Sequence, residues 1–156
     1  MRLRICAVGR IRSGPERALI DDYVARFDRT GRGLSLGPLE EVEVETRKAS
    51  GRDAEAEALS RAIPEGALIA VLDERGKTLS SPDLAGRLAE WRDQGRGDAA
   101  FVIGGADGLA PALRDRSDLA ISFGPMVWPH MLARVMLAEQ LYRAVSILGG
   151  SPYHRD

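Results

Sequence analysis

The chain has 156 residues, of which 44% are apolar and 29% charged, a composition typical of a folded globular protein rather than a disordered one. This length predicts a single domain over residues 1–156. The formal net charge of −1 argues against a general polyanion binder, and the single cysteine excludes an internal disulfide. The sequence has neither the apolar core of a signal peptide nor an apolar run of the ~18 residues that a membrane span needs. We therefore expect a cytoplasmic protein that contacts no membrane.

Arginine is concentrated near the start of the chain. Residues 1–32 contain eight arginines and four acidic residues, whereas residues 39–57 contain seven acidic and three basic residues. Because the guanidinium group forms forked contacts with phosphate, the first segment is a candidate phosphate-binding surface. An arginine-rich genome would produce the same bias, and the sequence leaves both explanations open.

The first half of the chain alternates between strand-like and helix-like segments. We predict a strand over 2–8 and a helix that opens at the capping box Ser13–Glu16. The apolar face of that helix comprises Leu19, Ile20, Tyr23, Val24 and Phe27. A glycine-rich loop over 31–38 then leads to a strand over 39–45 with one buried and one solvated face. The acidic residues expected on the solvated face are Glu41, Glu43 and Glu45.

The second half continues the alternation. Ser50 is expected to cap a helix that Pro64 ends, and the apolar run 67–72 is typical of a parallel strand covered on both faces. The next helix starts at Ser81-Pro82 and carries Leu84, Leu88 and Trp91 at helical spacing. The remaining predicted elements are a strand over 99–103, a short helix over 111–116, a strand over 119–123 and a helix over 130–148. This order predicts an α/β fold, a parallel-rich sheet flanked by helices.

Unusual residues follow three of the predicted strands, in the segments 72–77, 104–108 and 123–130. Ligands of parallel sheets bind at the carboxyl ends of the strands, so we expect a binding site where these three segments meet. The glycines of 104–108 suit a close backbone approach to a ligand, but they suit a tight strand-to-helix turn equally well. Their order departs from the G-x-G-x-x-G fingerprint, which argues against a Rossmann dinucleotide site.

The segment 123–130 combines two prolines and a glycine with four large apolar residues. It would either wrap over the core or form an apolar wall with free backbone groups, which is the combination that an adenine ring needs. The two histidines, His130 and His154, have no second ligand at metal spacing, so no metal site is expected. Glu139 and Arg143 are spaced as an ordinary helical ion pair.

Several segments together resemble the large-subunit ribosomal RNA methyltransferase H family, whose members are SPOUT-class enzymes of about this length. They are Leu72-Asp73 with Gly76-Lys77, Phe101 to Leu109, Trp128-Pro129-His130, Leu137 to Ala144 and the closing Pro152-Tyr153-His154-Arg155. The resemblance runs from end to end. It implies a SPOUT α/β fold with a C-terminal trefoil knot, a homodimer, and S-adenosyl-L-methionine as cofactor. It also implies methylation of N3 of a pseudouridine, position 1915 in helix 69 of 23S rRNA, on the assembled ribosome.

By this resemblance the cofactor-binding residues are Leu72, Gly104, Phe123, Gly124, Pro125, Met126, Val127 and Trp128. Where family members often read Leu-Ser-x-Met-Thr-Leu, this chain has Phe-Gly-Pro-Met-Val-Trp, so a hydrogen bond from the threonine hydroxyl would be lost. For the methyl transfer itself, His154 is the leading hypothesis for the group near the imide proton. We expect RNA phosphate, or the negative charge that develops on the base carbonyls, to be held by Arg155, Arg134 or Arg143. The residues proposed to contact RNA are Arg10, Arg12 and Tyr153.

Two other interpretations compete with this one. A non-catalytic ribosome-binding module would keep the basic surface and the tail but would need no adenine site. A flavodoxin-like phosphate-binding domain would need a phosphate loop after the first strand, and the segment 9–14 matches such a loop poorly.

Overall fold

The computed structural model describes residues 1–47 and 51–154. Its centre is a sheet of five parallel strands, which confirms the predicted α/β fold. The strands are β1 (Arg2–Val8), β2 (Leu39–Val44), β3 (Leu68–Lys77), β4 (Asp98–Ile103) and β5 (Leu119–Ile121). Their order across the sheet is β2-β1-β4-β3-β5, so β4, β3 and β5 are neighbours and their carboxyl ends lie side by side.

Helices cover both faces of the sheet. They are α1 (Pro15–Gly31), α2 (Gly51–Ala62), α3 (Ser81–Asp93), α4 (Pro111–Asp115) and α5 (His130–Leu148), with a short 3-10 turn at Arg32–Leu34. Helices α1, α3 and α5 pack together on one face around a core that includes Phe27, Phe101 and Leu141. Helices α2 and α4 cover the other face over a smaller core around Leu59 and Val102. No helix in the described part of the chain is both long and apolar enough to cross a bilayer.

Local sequence explains where α3 begins and which face it buries. The Ser80 hydroxyl accepts a hydrogen bond from the Asp83 amide, and the Asp83 carboxylate accepts one from the Ser80 amide. This reciprocal capping satisfies donors that the first helical turn leaves free. Leu84, Leu88 and Trp91 are buried, as their spacing predicts.

Helix α1 begins differently from the prediction. Gly14 is its N-terminal cap, with a φ of 101°, and no side chain caps the helix, so the capping box expected at Ser13 and Glu16 does not form. Pro15 at the first helical position has no amide hydrogen that needs a partner, which reduces the need for such a cap. Leu19, expected in the core, is 43% exposed. The cap predicted at Ser50 falls outside the described residues.

Strand β3 is longer than its apolar run and β5 is shorter than predicted. β3 continues through a register irregularity between Leu72 and Lys77, and its outer part still pairs with β5 at Ile121. The main chains approach closely there, because a Cβ atom on Gly76 would lie 2.6 Å from the Ala120 carbonyl. The outer part of β3 is charged and exposed, so hydrophobicity could not indicate it.

Side chains of β1 and of the edge strand β2 lie in environments that the sequence pattern does not reveal. Cys6 of β1 is fully buried, and burial raises the pKa of its thiol to about 12. The alternation predicts that Glu41 and Glu43 of β2 lie on a solvated face. In the structure, Arg17 of α1 and Arg134 of α5 cover them instead. The sequence pattern could not show that two arginines from distant helices would neutralise these carboxylates.

Candidate functional site

A cavity of about 290 Å³ lies at the carboxyl ends of β3, β4 and β5. This is the sheet edge at which the three unusual segments were expected to meet. Its lining includes Leu72, which is the last residue of β3 before the register irregularity. It also includes Gly104 after β4, and residues 123–124 and 126–128 after β5. The ordering of the strands brings these segments together although they are far apart in the sequence.

One wall of the cavity is apolar. Leu72, Ile103 and Phe123 form its inner part, and Met126, Val127 and Trp128 continue it towards the solvent. Val127 is 91% exposed and Trp128 is 41% exposed, which is unusual for side chains of this kind. A wall of this composition suits a flat apolar ring.

The glycine turn after β4 also lines the cavity. The Gly108 amide donates to the Gly105 carbonyl over 3.0 Å and closes the turn. A Cβ atom on Gly104 would lie 3.0 Å from the Gly108 carbonyl carbon and oxygen, and one on Gly105 would lie 2.9 Å from the Glu55 carboxylate. The absence of side chains therefore lets the backbone of this turn face the cavity closely.

An ion pair beside the cavity joins β3 to α4. The Arg114 guanidinium binds the Asp73 carboxylate, which also accepts a hydrogen bond of 2.9 Å from the Arg75 amide. Burial alone would raise the pKa of Asp73, but the Arg75 amide and the Arg114 cation outweigh it and hold that pKa below its ordinary value. Asp73 is therefore an anion in the folded protein at neutral pH.

Charges of both signs line the cavity. Besides Asp73 and Arg114, the charged lining residues are Arg52, Glu74, Arg75 and Asp107. An apolar wall beside mixed charges suits a ligand with a flat ring at one end and a zwitterionic group at the other. In the described part of the chain, no three His, Cys, Asp or Glu side chains are grouped so as to hold a metal ion.

The residues predicted to bind a cofactor are brought together with one difference. Leu72, Gly104, Phe123, Gly124 and Met126 to Trp128 all line this cavity, whereas Pro125 lies within the loop but is absent from the lining. The prediction left out Asp73, Arg114 and Arg52 of the same cavity. Asp73 follows the apolar part of β3, which is a usable signal, but nothing in the sequence indicates that α4 and α2 bring their arginines to this edge.

The tail forms a separate cluster near the end of α5. The Tyr153 hydroxyl donates to Glu139 over 3.0 Å, and the Arg143 guanidinium binds the same carboxylate at 2.6 Å and stacks 4.9 Å above the Tyr153 ring. Burial first, then the Tyr23 hydroxyl and Glu139, raise the pKa of Tyr153. Arg143 is thus part of a half-buried cluster rather than a simple surface ion pair.

The structure does not bring this tail cluster to the cavity within one chain. Along α5, Glu139 lies six residues, about 9 Å, beyond the cavity-lining Ala133, and none of Glu139, Arg143 and Tyr153 lines the cavity. The Nδ1 atom of His154 is buried and has no hydrogen-bond partner in the described part of the structure. Arg155 lies outside the described residues.

Arg134 occupies a different environment from the other candidate catalytic residues. Its side chain is 1% exposed, and it binds Glu41, Glu43 and the carbonyl groups of Val8 and Gly9. Arg134 is therefore buried and paired within this chain, and the hypothesis that it holds phosphate or developing charge stays a prediction. Arg10 and Arg12, the candidate RNA contacts, are exposed on the loop between β1 and α1.

Curated relatives are similar over the whole chain. A Roseobacter denitrificans protein named Ribosomal RNA large subunit methyltransferase H is 69% identical over 156 residues, which cover 100% of both chains. A Cereibacter sphaeroides protein of the same name is 67% identical over 155 residues, which cover 99% of each chain.

Solved structures share the fold at low sequence identity. A probable methylase family protein from Haemophilus influenzae Rd KW20 matches with a TM-score of 0.54 and 14% identity, over 99% of this chain and 70% of that one. A probable methyltransferase from Bordetella pertussis Tohama I matches with a TM-score of 0.51 and 15% identity, over 92% of this chain and 96% of that one.

The family described as Predicted SPOUT methyltransferase matches residues 1–154. This match spans both the sheet and the cavity, and it agrees with the family that the sequence motifs resemble. The chain therefore belongs to the SPOUT methyltransferase family and is a methyltransferase that uses S-adenosylmethionine.

Proposed function

We propose that this enzyme methylates N3 of a pseudouridine, position 1915 in helix 69 of 23S rRNA, on the assembled ribosome. The observation that carries the proposal is the identity of 67–69% over at least 99% of the chain to proteins named Ribosomal RNA large subunit methyltransferase H. The proposed substrate places the enzyme in the bacterial cytoplasm. The trefoil knot implied by the resemblance stays a prediction.

The strand-end cavity is the proposed cofactor site. Leu72, Phe123 and Trp128 would contact the adenine ring, and the glycine turn at Gly104 would contact the remainder of the adenosyl group through its backbone. Arg114, held by Asp73, and Arg52 would face the charged amino-acid end, since both line the cavity. When bound, S-adenosylmethionine supplies a methyl group already activated on a sulfonium, so this chemistry needs no metal.

The chain must also orient the pseudouridine and accept its N3 proton. A positioned general base contributes typically 10²–10⁴-fold to such a step. His154 is the proposed group near that proton, because its ring is half-buried with one nitrogen free of hydrogen bonds among the described residues. Arg143, Arg155 and Tyr153 would hold RNA phosphate or the developing charge on the base carbonyls.

A homodimer would reconcile the tail with the cavity. No residue of the tail cluster lines the cavity of the same chain, so a second copy would have to bring its tail to the first copy's cavity. Met131 and Leu132 of α5 and Leu19 of α1 are large apolar side chains that are about 40% exposed. An apolar surface on these helices favours burial against another copy.

RNA docking is proposed to involve Arg10 and Arg12, which flank Ile11 on the loop between β1 and α1. For each phosphate contact that is lost, the slope of log affinity against log salt concentration should become shallower by about one. The formal net charge of −1 favours selective docking over general RNA binding.

The decisive experiment measures methyl transfer from labelled S-adenosylmethionine to intact ribosomes, to free 23S rRNA and to free 16S rRNA. We expect incorporation into ribosomes at a single pseudouridine, carried on N3, and little into either free RNA. Methylation of a different nucleotide, or equal incorporation into free 23S rRNA, would contradict the proposal.

A binding measurement separates the cofactor site from the RNA substrate. Trp128 lines the cavity, whereas Trp91 is buried in the core, so cofactor titration should change the fluorescence of Trp128 alone. The response should disappear in W128F and persist in W91F. A non-catalytic ribosome-binding module would bind ribosomes but give no response to S-adenosylmethionine.

A further inference from the structure

Four charged residues form a partly buried cluster between α1, β2 and α5. The cluster consists of Arg17, Glu41, Glu43 and Arg134, two cations and two anions, and we refer to it as the arginine–glutamate cluster. The Arg134 Nη1 atom lies 3.0 Å from Glu41 Oε2 and 2.6 Å from Glu43 Oε2, and Arg17 binds Glu41 from the other side. Complete burial of an arginine is costly unless every charge is paired, so the cluster is a specific arrangement.

The arginine–glutamate cluster also anchors the loop between β1 and α1, through hydrogen bonds to Ile11 in the middle of that loop. The Ile11 amide donates to Glu43 Oε2 over 2.7 Å, and the Ile11 carbonyl accepts from Arg17 Nη1 over 3.1 Å. Arg134 Nη2 adds a bond of 3.1 Å to the Gly9 carbonyl, where this loop begins. The ends of the loop are Gly9 and Gly14, whose φ angles of 94° and 101° are accessible mainly to glycine.

Pinning Ile11 determines where its neighbours lie. Ile11 is buried, and the side chains on either side of it, Arg10 and Arg12, are exposed. Because Arg134 directly follows Ala133, which lines the cavity, helix α5 connects the cavity to this loop. The cluster is therefore placed between the cofactor site and the surface proposed to contact RNA.

We infer that the arginine–glutamate cluster is a positioning device, in which Arg134 and Glu43 fix the loop 9–14 so that Arg10 and Arg12 face the RNA in one arrangement. This inference rests on the proposed function for its RNA part. Arg134 does not touch substrate in this role, and it acts through Ile11 and Gly9.

The first experiment measures hydrogen exchange of the Ile11 amide in R134K and E43Q. Lysine keeps the charge of Arg134 but cannot bind two carboxylates and two carbonyls at once, and E43Q keeps the size of Glu43. R87K is the matched control, because Arg87 forms an exposed pair of 3.2 Å with Glu90 on α3. We expect exchange at Ile11 to be about tenfold faster in both cluster variants, with β1 amides such as Ile5 unchanged. Exchange at Ile11 within twofold of the unmodified chain would overturn the inference.

The second experiment tests whether the loop position matters for RNA. Ribosome affinity is measured against salt for R10Q/R12Q, for R134K and for the triple variant, with Trp128 fluorescence reporting cofactor binding. We expect R10Q/R12Q to weaken binding about tenfold in the unmodified chain at low salt and clearly less in the R134K background. Cofactor affinity should stay within twofold in R134K.

The outcomes separate the two proposals. Equal effects of R10Q/R12Q in both backgrounds, or loss of cofactor binding in R134K, would overturn the positioning role. If R10Q/R12Q has no effect in the unmodified chain, the RNA-docking surface is wrong and the RNA part of this inference falls with it. Ribosome methylation by R10Q/R12Q would then show whether the proposed function itself stands.

Discussion

Two adjacent glycines on the cavity boundary face different neighbours. A Cβ atom on Gly104 would lie 3.0 Å from the main chain of Gly108, whereas one on Gly105 would meet only the end of the Glu55 side chain. A flexible side chain can move aside more easily than backbone can. We expect G104A to weaken S-adenosylmethionine binding by about tenfold, in line with overpacking costs of about 1–3 kcal/mol, and G105A to have a smaller effect.

Isothermal titration of both variants checks this prediction. E55A combined with G105A is the matched control, because removing the carboxylate clears the space that the new methyl group needs. A larger loss of affinity in G105A than in G104A would show that the Gly104 backbone does not bound the cofactor site.

The charge of Asp73 has a predictable effect on acid stability. Its folded pKa lies below the ordinary 3.8, because the Arg75 amide and Arg114 outweigh the effect of burial. A carboxylate with a lowered pKa contributes stability that is fully present above its unfolded pKa and is lost as the pH falls through the folded pKa. D73N should therefore lower the free energy of unfolding at neutral pH. Below about pH 4, the free energy of unfolding should fall less steeply in D73N than in the unmodified chain.

Urea unfolding of D73N between neutral pH and about pH 3 tests this, with E65Q as a control on an exposed loop. An unchanged pH profile in D73N would mean that the Asp73–Arg114 pair contributes nothing to the folded state.

At the scale of single elements, the outer part of β3 depends on one glycine. A Cβ atom on Gly76 would lie 2.6 Å from the Ala120 carbonyl, and beside it the Ser122 amide donates to the Lys77 carbonyl over 2.9 Å. G76A must separate β3 from β5 and should lower the free energy of unfolding by about 1–3 kcal/mol. G86A is the control, because Gly86 is exposed in α3 with no atom near its Cβ position, and alanine there should stabilise by up to about 1 kcal/mol.

Thermal and chemical unfolding of these two glycine variants give the comparison directly. If G76A is as stable as the unmodified chain, the pairing of β3 with β5 beyond Leu72 does not exist in solution.

At the scale of the whole molecule, the exposed apolar residues of α5 predict association. Leu132 is 40% exposed, and a glutamate there would introduce a charge into the proposed interface. L132E should shift the mass measured by light scattering from a dimer to a monomer and reduce ribosome methylation at least tenfold, since the tail of a second copy would no longer reach the cavity. R61E, a charge reversal on the exposed face of α2, should leave the mass unchanged. A dimeric L132E would place the interface elsewhere.

The sheet could be predicted from sequence because short-range hydrophobic patterns encode it. The apolar runs of β3 and β4 and the helical spacing of Leu84, Leu88 and Trp91 depend on neighbouring residues only. The candidate cavity could be located as well, because parallel strands bring their carboxyl ends to one edge. The burial of Arg134 could not be foreseen, since its partners Glu41 and Glu43 lie more than 90 residues away.

The buried position of Cys6 has a practical consequence for labelling this protein. A thiol with no exposed surface and a pKa of about 12 contains almost no thiolate at neutral pH, so it should not react with maleimides or iodoacetamides. A cysteine introduced at an exposed position such as Arg12 or Val127 would then be the only reactive thiol. Fluorescent or spin probes could thus be attached at chosen sites without first removing the native cysteine.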